Sequence, residues 1–262
     1  MHKLMRRLDL LRKFFNLGAD TLEGVRIAAL YIFYFAAARV GISPRSTQIR
    51  ACVNGVLCPI TVKSISDFWT IKDIFLEKEY EINLNNPKII ADLGANIGIS
   101  AIFFATRFPN TIVHAVEPNP IVFRQLIKNT ARISNIICYP FAITDKNGIV
   151  TFENGVHNTS ASLKARGGGA FEAPSKTMES FMQEAGLSMI DLVKFDIEGA
   201  EEYLFRNFPE RASVRAYIGE MHYDLMDLTH EELKSFFPGH QIEERFMEGK
   251  KRSVIRILAP SL

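Results

Sequence analysis

Cysteine is scarce in this chain: three residues in 262, Cys52, Cys58 and Cys138. They form no metal-ligand cluster and cannot all pair with one another, which excludes a disulfide-stapled scaffold. With no cleavable signal peptide in view, a reducing, cytoplasmic setting is expected. Long apolar runs are missing as well. The uncharged stretch between Arg26 and Arg39 is 12 residues, short of the roughly 20 that span a bilayer, so no transmembrane anchor is expected. Strong charge of one sign is also absent, with 31 Lys and Arg against 29 Asp and Glu. The balance is uneven, however. Residues 1–50 hold nine basic against three acidic side chains, a net of +6, which leaves −4 for the remainder of the total of +2. Those basic residues are spread over helical segments without interleaved aromatics, so no nucleic-acid partner is expected. What remains, 47% hydrophobic and 23% charged, is enough for one sizeable globular domain with an appendage.

The most informative segment is Ile89-Ile90-Ala91-Asp92-Leu93-Gly94-Ala95-Asn96-Ile97-Gly98, a short buried strand running into a small-residue turn, with a helix from about Ile99 to Arg107. Such a turn lets backbone N–H groups and a helix N-terminus approach a ligand. Glu117 follows 19 residues after Gly98, at the end of a second strand. An acidic side chain at that place holds a ribose diol in nucleotide-binding α/β folds. A dinucleotide fingerprint is missing because Gly94, Asn96 and Gly98 do not give Gly-x-Gly-x-x-Gly, which argues against an NAD-linked oxidoreductase. A carboxylate at Asp92 repels a pyrophosphate and suits a cationic ligand. Asp92-x-Gly94-x-Asn96-x-Gly98 resembles motif I of the class I methyltransferases that use S-adenosylmethionine (SAM), a ligand with a sulfonium and an ammonium group.

Further motifs sharpen the resemblance. Val193-Lys194-Phe195-Asp196-Ile197-Glu198-Gly199-Ala200-Glu201 is similar to the hallmark of FkbM-type methyltransferases. Glu117-Pro118-Asn119-Pro120, Ala142-Ile143-Thr144-Asp145, Thr177-Met178-Glu179-Ser180-Phe181 and Glu220-Met221-His222 resemble the same family, in its order, over about residues 88–258. Met178-Glu179 stands where the family commonly has Leu-Asp, and residues 1–87 carry none of the resemblance. The resemblance implies SAM as cofactor and O-methylation of a hydroxyl on a sugar, polysaccharide precursor or polyketide-like metabolite, hence a small-molecule or glycan acceptor. The rival reading is a non-catalytic SAM-binding or membrane-surface scaffold on the same fold.

Element order agrees. Strand signals fall at about 88–93, 111–117, 136–140, 190–196, 213–221, 240–246 and 252–258, with helical patterns at about 98–108, 119–132, 177–185 and 200–207 between the earlier ones. The expected fold is α/β: a Rossmann-like, doubly wound, mostly parallel seven-stranded sheet finished by an antiparallel hairpin, because Met247–Lys251 leaves room only for a tight connection. Residues 148–173 read as an extra strand or two with a glycine-rich loop at Gly167-Gly168-Gly169.

The expected division is an N-terminal extension, 1–87, and a methyltransferase domain, 88–262. In the extension, Leu4, Leu8, Leu11 and Phe15 share a helical face, and Asp20 with Glu23 has capping-box spacing at the start of a second helix. Asn54-Gly55 signals a two-residue hairpin, Pro59 an edge strand, and a helix follows near Asp67–Glu77. The two N-terminal helices fit either a cap packed on the catalytic domain or a basic amphipathic face making peripheral contact with a membrane.

For the donor, the expected contacts are Asp92, Gly94, Ala95, Asn96, Gly98, Glu117 and Pro118, with Ala142 and Ile143 reading the adenine edge and Phe141 flanking it. For catalysis they are Asp196, His222, Lys194 and Glu220, which converge if the 190–196 and 213–221 strands are neighbours: His222 or Asp196 as base, Lys194 neutralising Asp196 or shaping the site with Glu220. Glu198, Glu201 and Glu202 complement a helix N-terminus. Asn158-Thr159-Ser160-Ala161-Ser162 either covers the site or is an exposed loop. No spacing among Asp196, Glu220 and His222 requires a metal, so none is expected.

Overall fold

The structure, a computed structural model, describes residues 2–154, 161–162, 170–247, 249 and 251–260. It begins with two helices, α1 (His2–Asn16) and α2 (Thr21–Arg39), and a hairpin, β1 (Thr47–Val53) and β2 (Val56–Val62). Asp20 caps α2 by accepting from Glu23 N at 2.8 Å. The other half of the expected capping box does not close, because the Glu23 carboxylate serves the hairpin instead: it accepts from Arg50 N at 2.9 Å and pairs with Arg26 at 2.7 Å. Asn54 and Gly55 take the left-handed conformation (φ 48° and 82°) that the two-residue turn requires. Helix α3 (Ile65–Ile71) opens on a Ser64–Asp67 capping box and runs into a π-helical turn at Lys72–Leu76.

The central sheet contains β3 (Ile89–Leu93), β4 (Ile112–Val116) and β5 (Ile136–Tyr139), interleaved with α4 (Ile99–Arg107) and α5 (Pro120–Thr130). A second sheet follows, of β6 (Ala142–Ile143), β7 (Gly148–Asn154), β8 (Ala161–Ser162) and β9 (Ala170–Lys176) in the order β6-β9-β7-β8. The chain returns through α6 (Met178–Ala185), β10 (Leu192–Phe195), α7 (Glu201–Asn207), β11 (Ala216–His222), α8 (His230–Ser235), β12 (Gln241–Phe246) and β13 (Arg252–Leu258). The seven-stranded order is β12-β13-β11-β10-β3-β4-β5. Strands β11, β10, β3, β4 and β5 are parallel; β13 and β12 are antiparallel.

All seven expected strands of this sheet and its terminal hairpin are present. The second sheet is larger than the expected extra strand or two. Gly167–Gly169 and Asn158–Ser160 lie outside the described residues. Strand order reverses between β3 and β10, so the crevice where a doubly wound sheet binds its ligand opens at their carboxyl ends.

Two apolar clusters cover the sheet faces. One joins Ile90, Phe104 and Val113 to Phe14, Ile27, Ile60 and Phe68 of the extension; the other gathers Phe181, Phe195, Phe205 and Tyr217. Polar seams reinforce the first. Asn129 of α5 accepts from Thr61 N at 2.8 Å and donates to Ile97 O at 2.9 Å, tying hairpin, helix and ligand turn together.

Candidate active site

A cleft opens at the switch point between β3 and β10, where a doubly wound sheet binds its ligand. Its walls come from three places: the turn after β3 (Gly94, Asn96), the end of β4 (Glu117, Pro118), and the second sheet with its approach (Phe141, Ala142, Ile143, Phe152, Phe171). Asp196, Ile197 and Glu198 close the far side.

Backbone geometry explains the turn. Gly94 has φ 73°, and a Cβ there would lie 1.9 Å from the Asp196 carbonyl oxygen, so only glycine lets the two turns meet. Gly94 N and Ala95 N donate to Val116 O at 3.0 and 2.9 Å, and Asn96 N donates to Glu117 Oε2 at 3.0 Å. Glu117 Oε1 accepts from Asn119 N at 2.8 Å. Burial pushes the Glu117 carboxyl up to about 7 despite these two N–H donors.

Six of the nine expected donor contacts line the cleft: Gly94, Asn96, Glu117, Pro118, Ala142 and Ile143. Asp92, Ala95 and Gly98 do not. Asp92 is fully buried under the turn, 3.0 Å from Lys194 Nζ, and accepts from Ser100 Oγ at 2.6 Å. Ala95 is buried, and Gly98 packs α4 on α5, where a Cβ would meet Leu126 Cδ1 at 2.9 Å. Lys194 is corrected with Asp92. Its ammonium pairs with Asp92 rather than Asp196, donates to Gly94 O at 2.8 Å, and is 2% exposed, so it braces the turn and reaches no acceptor.

The remaining catalytic candidates do converge. His222 ends β11, and its Nε2 lies 3.8 Å from Asp196 Oδ1 and 3.9 Å from Glu220 Oε2. Two acids join them beyond the expectation. Glu198 Oε2 lies 3.5 Å from the same nitrogen, brought there by a left-handed backbone (φ 51°), an unusual conformation for a side-chain-bearing residue. Glu201, fully buried, accepts from Ile197 N and Gly199 N at 3.1 and 2.8 Å and bonds His222 Nδ1 at 2.9 Å. It shapes the turn and fixes the imidazole, a role that exceeds complementing a helix end.

Burial disfavours charge on His222, but the bond to Glu201 and the nearby Asp196 and Glu198 outweigh it and raise its pKa to about 10. The surrounding carboxylates thus favour the protonated imidazole in the free protein. Burial first, and then the Asp196 charge, lift Glu198 and Glu220 above the ordinary carboxylate range.

The phenylalanines of the second sheet were not legible as site residues. Phe152 and Phe171 stack at 5.1 Å on β7 and β9 and reach the cleft only because that sheet folds over it.

Comparison with known proteins agrees with this geometry. A sequence profile described as the methyltransferase FkbM domain matches residues 92–244. Hexuronic acid methyltransferase AglP of Haloferax volcanii is 27% identical over 190 residues, covering 68% of this chain and 75% of that protein. The 31-O-demethyl-FK506 methyltransferase FkbM of Streptomyces tacrolimicus is 23% identical, covering 58% of this chain and 73% of that protein. The 2-O-methyltransferase NoeI of Sinorhizobium fredii is 27% identical, over 43% of this chain and 54% of that protein.

Proposed function

The chain belongs to the FkbM family of methyltransferases, whose domain spans residues 92–244, and from that premise we propose that this SAM-dependent enzyme methylates a hydroxyl of a sugar or polysaccharide precursor. The names of relatives support the reading: one is a hexuronic acid methyltransferase and one a 2-O-methyltransferase, while a third is named for 31-O-demethyl-FK506.

The cleft fits the donor. Glu117 presents a buried carboxylate to the ribose diol, and Asn96 Oδ1, buried without a hydrogen-bond partner in the protein, offers an acceptor to a donor group of the ligand. Phe141, Ala142 and Ile143 supply the apolar wall for adenine. Bound SAM supplies the electrophilic methyl group. The chain's part is to place the acceptor oxygen and take its proton, and Asp196 Oδ1, in the cleft wall and 3.8 Å from His222 Nε2, is the atom positioned for it. The observation that carries the reading is that Asp196 and Glu198 belong both to the donor cleft and to the His222 cluster.

The test is release of S-adenosylhomocysteine when the purified chain meets SAM and a pool of uronic acids and oligosaccharides, with a 14 Da mass gain (one CH2 unit) on the acceptor. No calorimetric signal with SAM would end the methyltransferase reading; SAM binding with transfer only to amines would end the hydroxyl reading.

We also infer that the N-terminal face contacts an anionic membrane surface. Leu22, Val25, Ile32 and Phe33 lie on the exposed side of α2, and α1 exposes Met5 and Leu8 beside Arg6, Arg7 and Arg12. An apolar row with basic flanks is the pattern of interfacial helices.

A further inference from the structure

We propose that Asp196, Glu198 and His222 hold a divalent cation, and that this cation binds the hydroxyl oxygens of the acceptor next to the donor cleft; the second clause rests on the methyltransferase reading, the first does not. One ligand atom from each of the three residues lies within 4.8 Å of the others. Oxygen and nitrogen ligands about 2.0–2.6 Å from a shared cation lie roughly 3–5 Å apart, so the group surrounds a cation without rearranging the backbone.

Independent of the acids, the imidazole itself points to a ligand. His222 is 1% exposed, and its Nε2 is buried with no hydrogen-bond partner. The nearest carboxylate oxygens, 3.5 Å away on Glu198 and 3.8 Å away on Asp196, are too far to bond it directly. Its other nitrogen is already fixed by Glu201, whose carboxylate is in turn held by two backbone N–H groups. A carboxylate gripping the far nitrogen of a ligating histidine is the usual outer shell of a protein metal site.

Charge leads to the same place. Asp196, Glu198, Glu201 and Glu220 surround one imidazole, and Arg252 lies 3.7 Å from Glu198. Gathering carboxylates in a half-buried site is costly without further positive charge. Carboxylates with one imidazole suit Mn2+ or Mg2+ better than a thiol-seeking metal. Because Asp196 and Glu198 also line the donor cleft, a cation there faces the acceptor side. It would polarise a bound hydroxyl and fix its direction. Linear spacing hides the site, since the left-handed turn at Glu198 is what swings its carboxylate toward β11.

Mn2+ is the probe. The full chain, stripped with EDTA, is titrated with Mn2+ by calorimetry and electron paramagnetic resonance, and SAM binding is measured separately. One saturable Mn2+ per chain is expected, with nitrogen modulation in the spin-echo spectrum that His222→Gln abolishes. Glu198→Gln is expected to raise the Mn2+ dissociation constant about tenfold or more. Absence of saturable binding, or bound Mn2+ without nitrogen coupling in the unaltered chain, overturns the proposal and leaves a protonated imidazole as the balancing charge. Mn2+ affinity unchanged in Glu198→Gln overturns it too. The stoichiometry and nitrogen coupling are read on the unaltered chain and need no turnover, so failure here with SAM still bound leaves the methyltransferase reading intact. Loss of SAM binding alone removes that reading and the acceptor clause, not the metal site.

Discussion

Glu117 carries two structural bonds and one proposed ligand contact, and its titration separates them. Both its oxygens accept backbone N–H groups, yet burial holds its pKa up at about 7, against an ordinary 4.5. In the free protein the protonated form is therefore favoured by folding, so its contribution to stability is full below about pH 4.5 and declines as pH rises to about 7. Ribose hydroxyls that donate to the carboxylate favour the ionised form. SAM affinity is expected to increase with pH, approaching tenfold per unit below about pH 7 and levelling off above it. Glu117→Gln should flatten that profile, and Glu117→Ala should weaken SAM binding about 30-fold through loss of charge-assisted bonds. Calorimetry between pH 5.5 and 8.5 measures both; a flat profile in the unaltered chain refutes the ribose assignment. Asp92 and Lys194 behave differently, as a pair sealed away from solvent. Lys194→Met leaves a buried carboxylate uncompensated and should cost about 3–5 kcal/mol in urea unfolding, part of which Asp92→Asn restores. A single-variant cost below about 1 kcal/mol would mean the pair is not desolvated.

Helices, strands and turns were legible in proportion to how local their causes are. Alternating buried strands and capped helices gave away the central sheet, and Asn119-Pro120 starts α5 as its chemistry dictates, with Asn119 Oδ1 accepting from Ile121 N and Val122 N. The cleft residues were half legible. Sequence spacing identifies which residues occupy the turn after β3, but not which way each points. Asn96 at φ 50° turns toward the cleft, whereas Asp92, two residues before Gly94, faces inward to Lys194. The second sheet was obscured because β6 and β8 are two residues each and β6 pairs β9 across more than thirty residues. Long-range polar seams were hidden for the same reason. Asn129 looked like an ordinary helical residue, yet it is 1% exposed and satisfies Thr61 N and Ile97 O. Asn129→Ala strands both backbone groups and should cost about 2 kcal/mol by thermal or urea unfolding, with a further loss of SAM affinity because the Ile97 carbonyl belongs to the ligand turn. Unchanged stability would show that water replaces the side chain there.

Across the described residues, the N-terminal helices and hairpin share one apolar core with the catalytic sheet, so they are packed against it rather than tethered. Phe14, Ile27 and Tyr34 are buried against the hairpin and α3, while the opposite side of α2 keeps Leu22, Val25, Ile32 and Phe33 in solvent at 52–78% exposure. Helix α2 is 19 residues long and apolar enough to cross a bilayer by length and composition alone. Its packing argues for lying flat instead: Glu23 is buried and paired with Arg26, and Arg26 donates to Gln48 O at 2.7 Å, contacts that a spanning orientation would break. A helix so anchored leaves its outer face exposed, and that is the face the membrane proposal uses. Co-sedimentation with vesicles containing anionic lipid is expected to pellet the full chain at low salt, less at high salt because the Arg6, Arg7 and Arg12 attraction is screened. Replacing Ile32 and Phe33 with Glu should release it by removing apolar insertion and adding like charge to the lipid's, with SAM affinity unaltered because neither side chain touches the cleft. Equal pelleting of the charged variant, or none by the unaltered chain, would sink the membrane reading without touching the methyltransferase one.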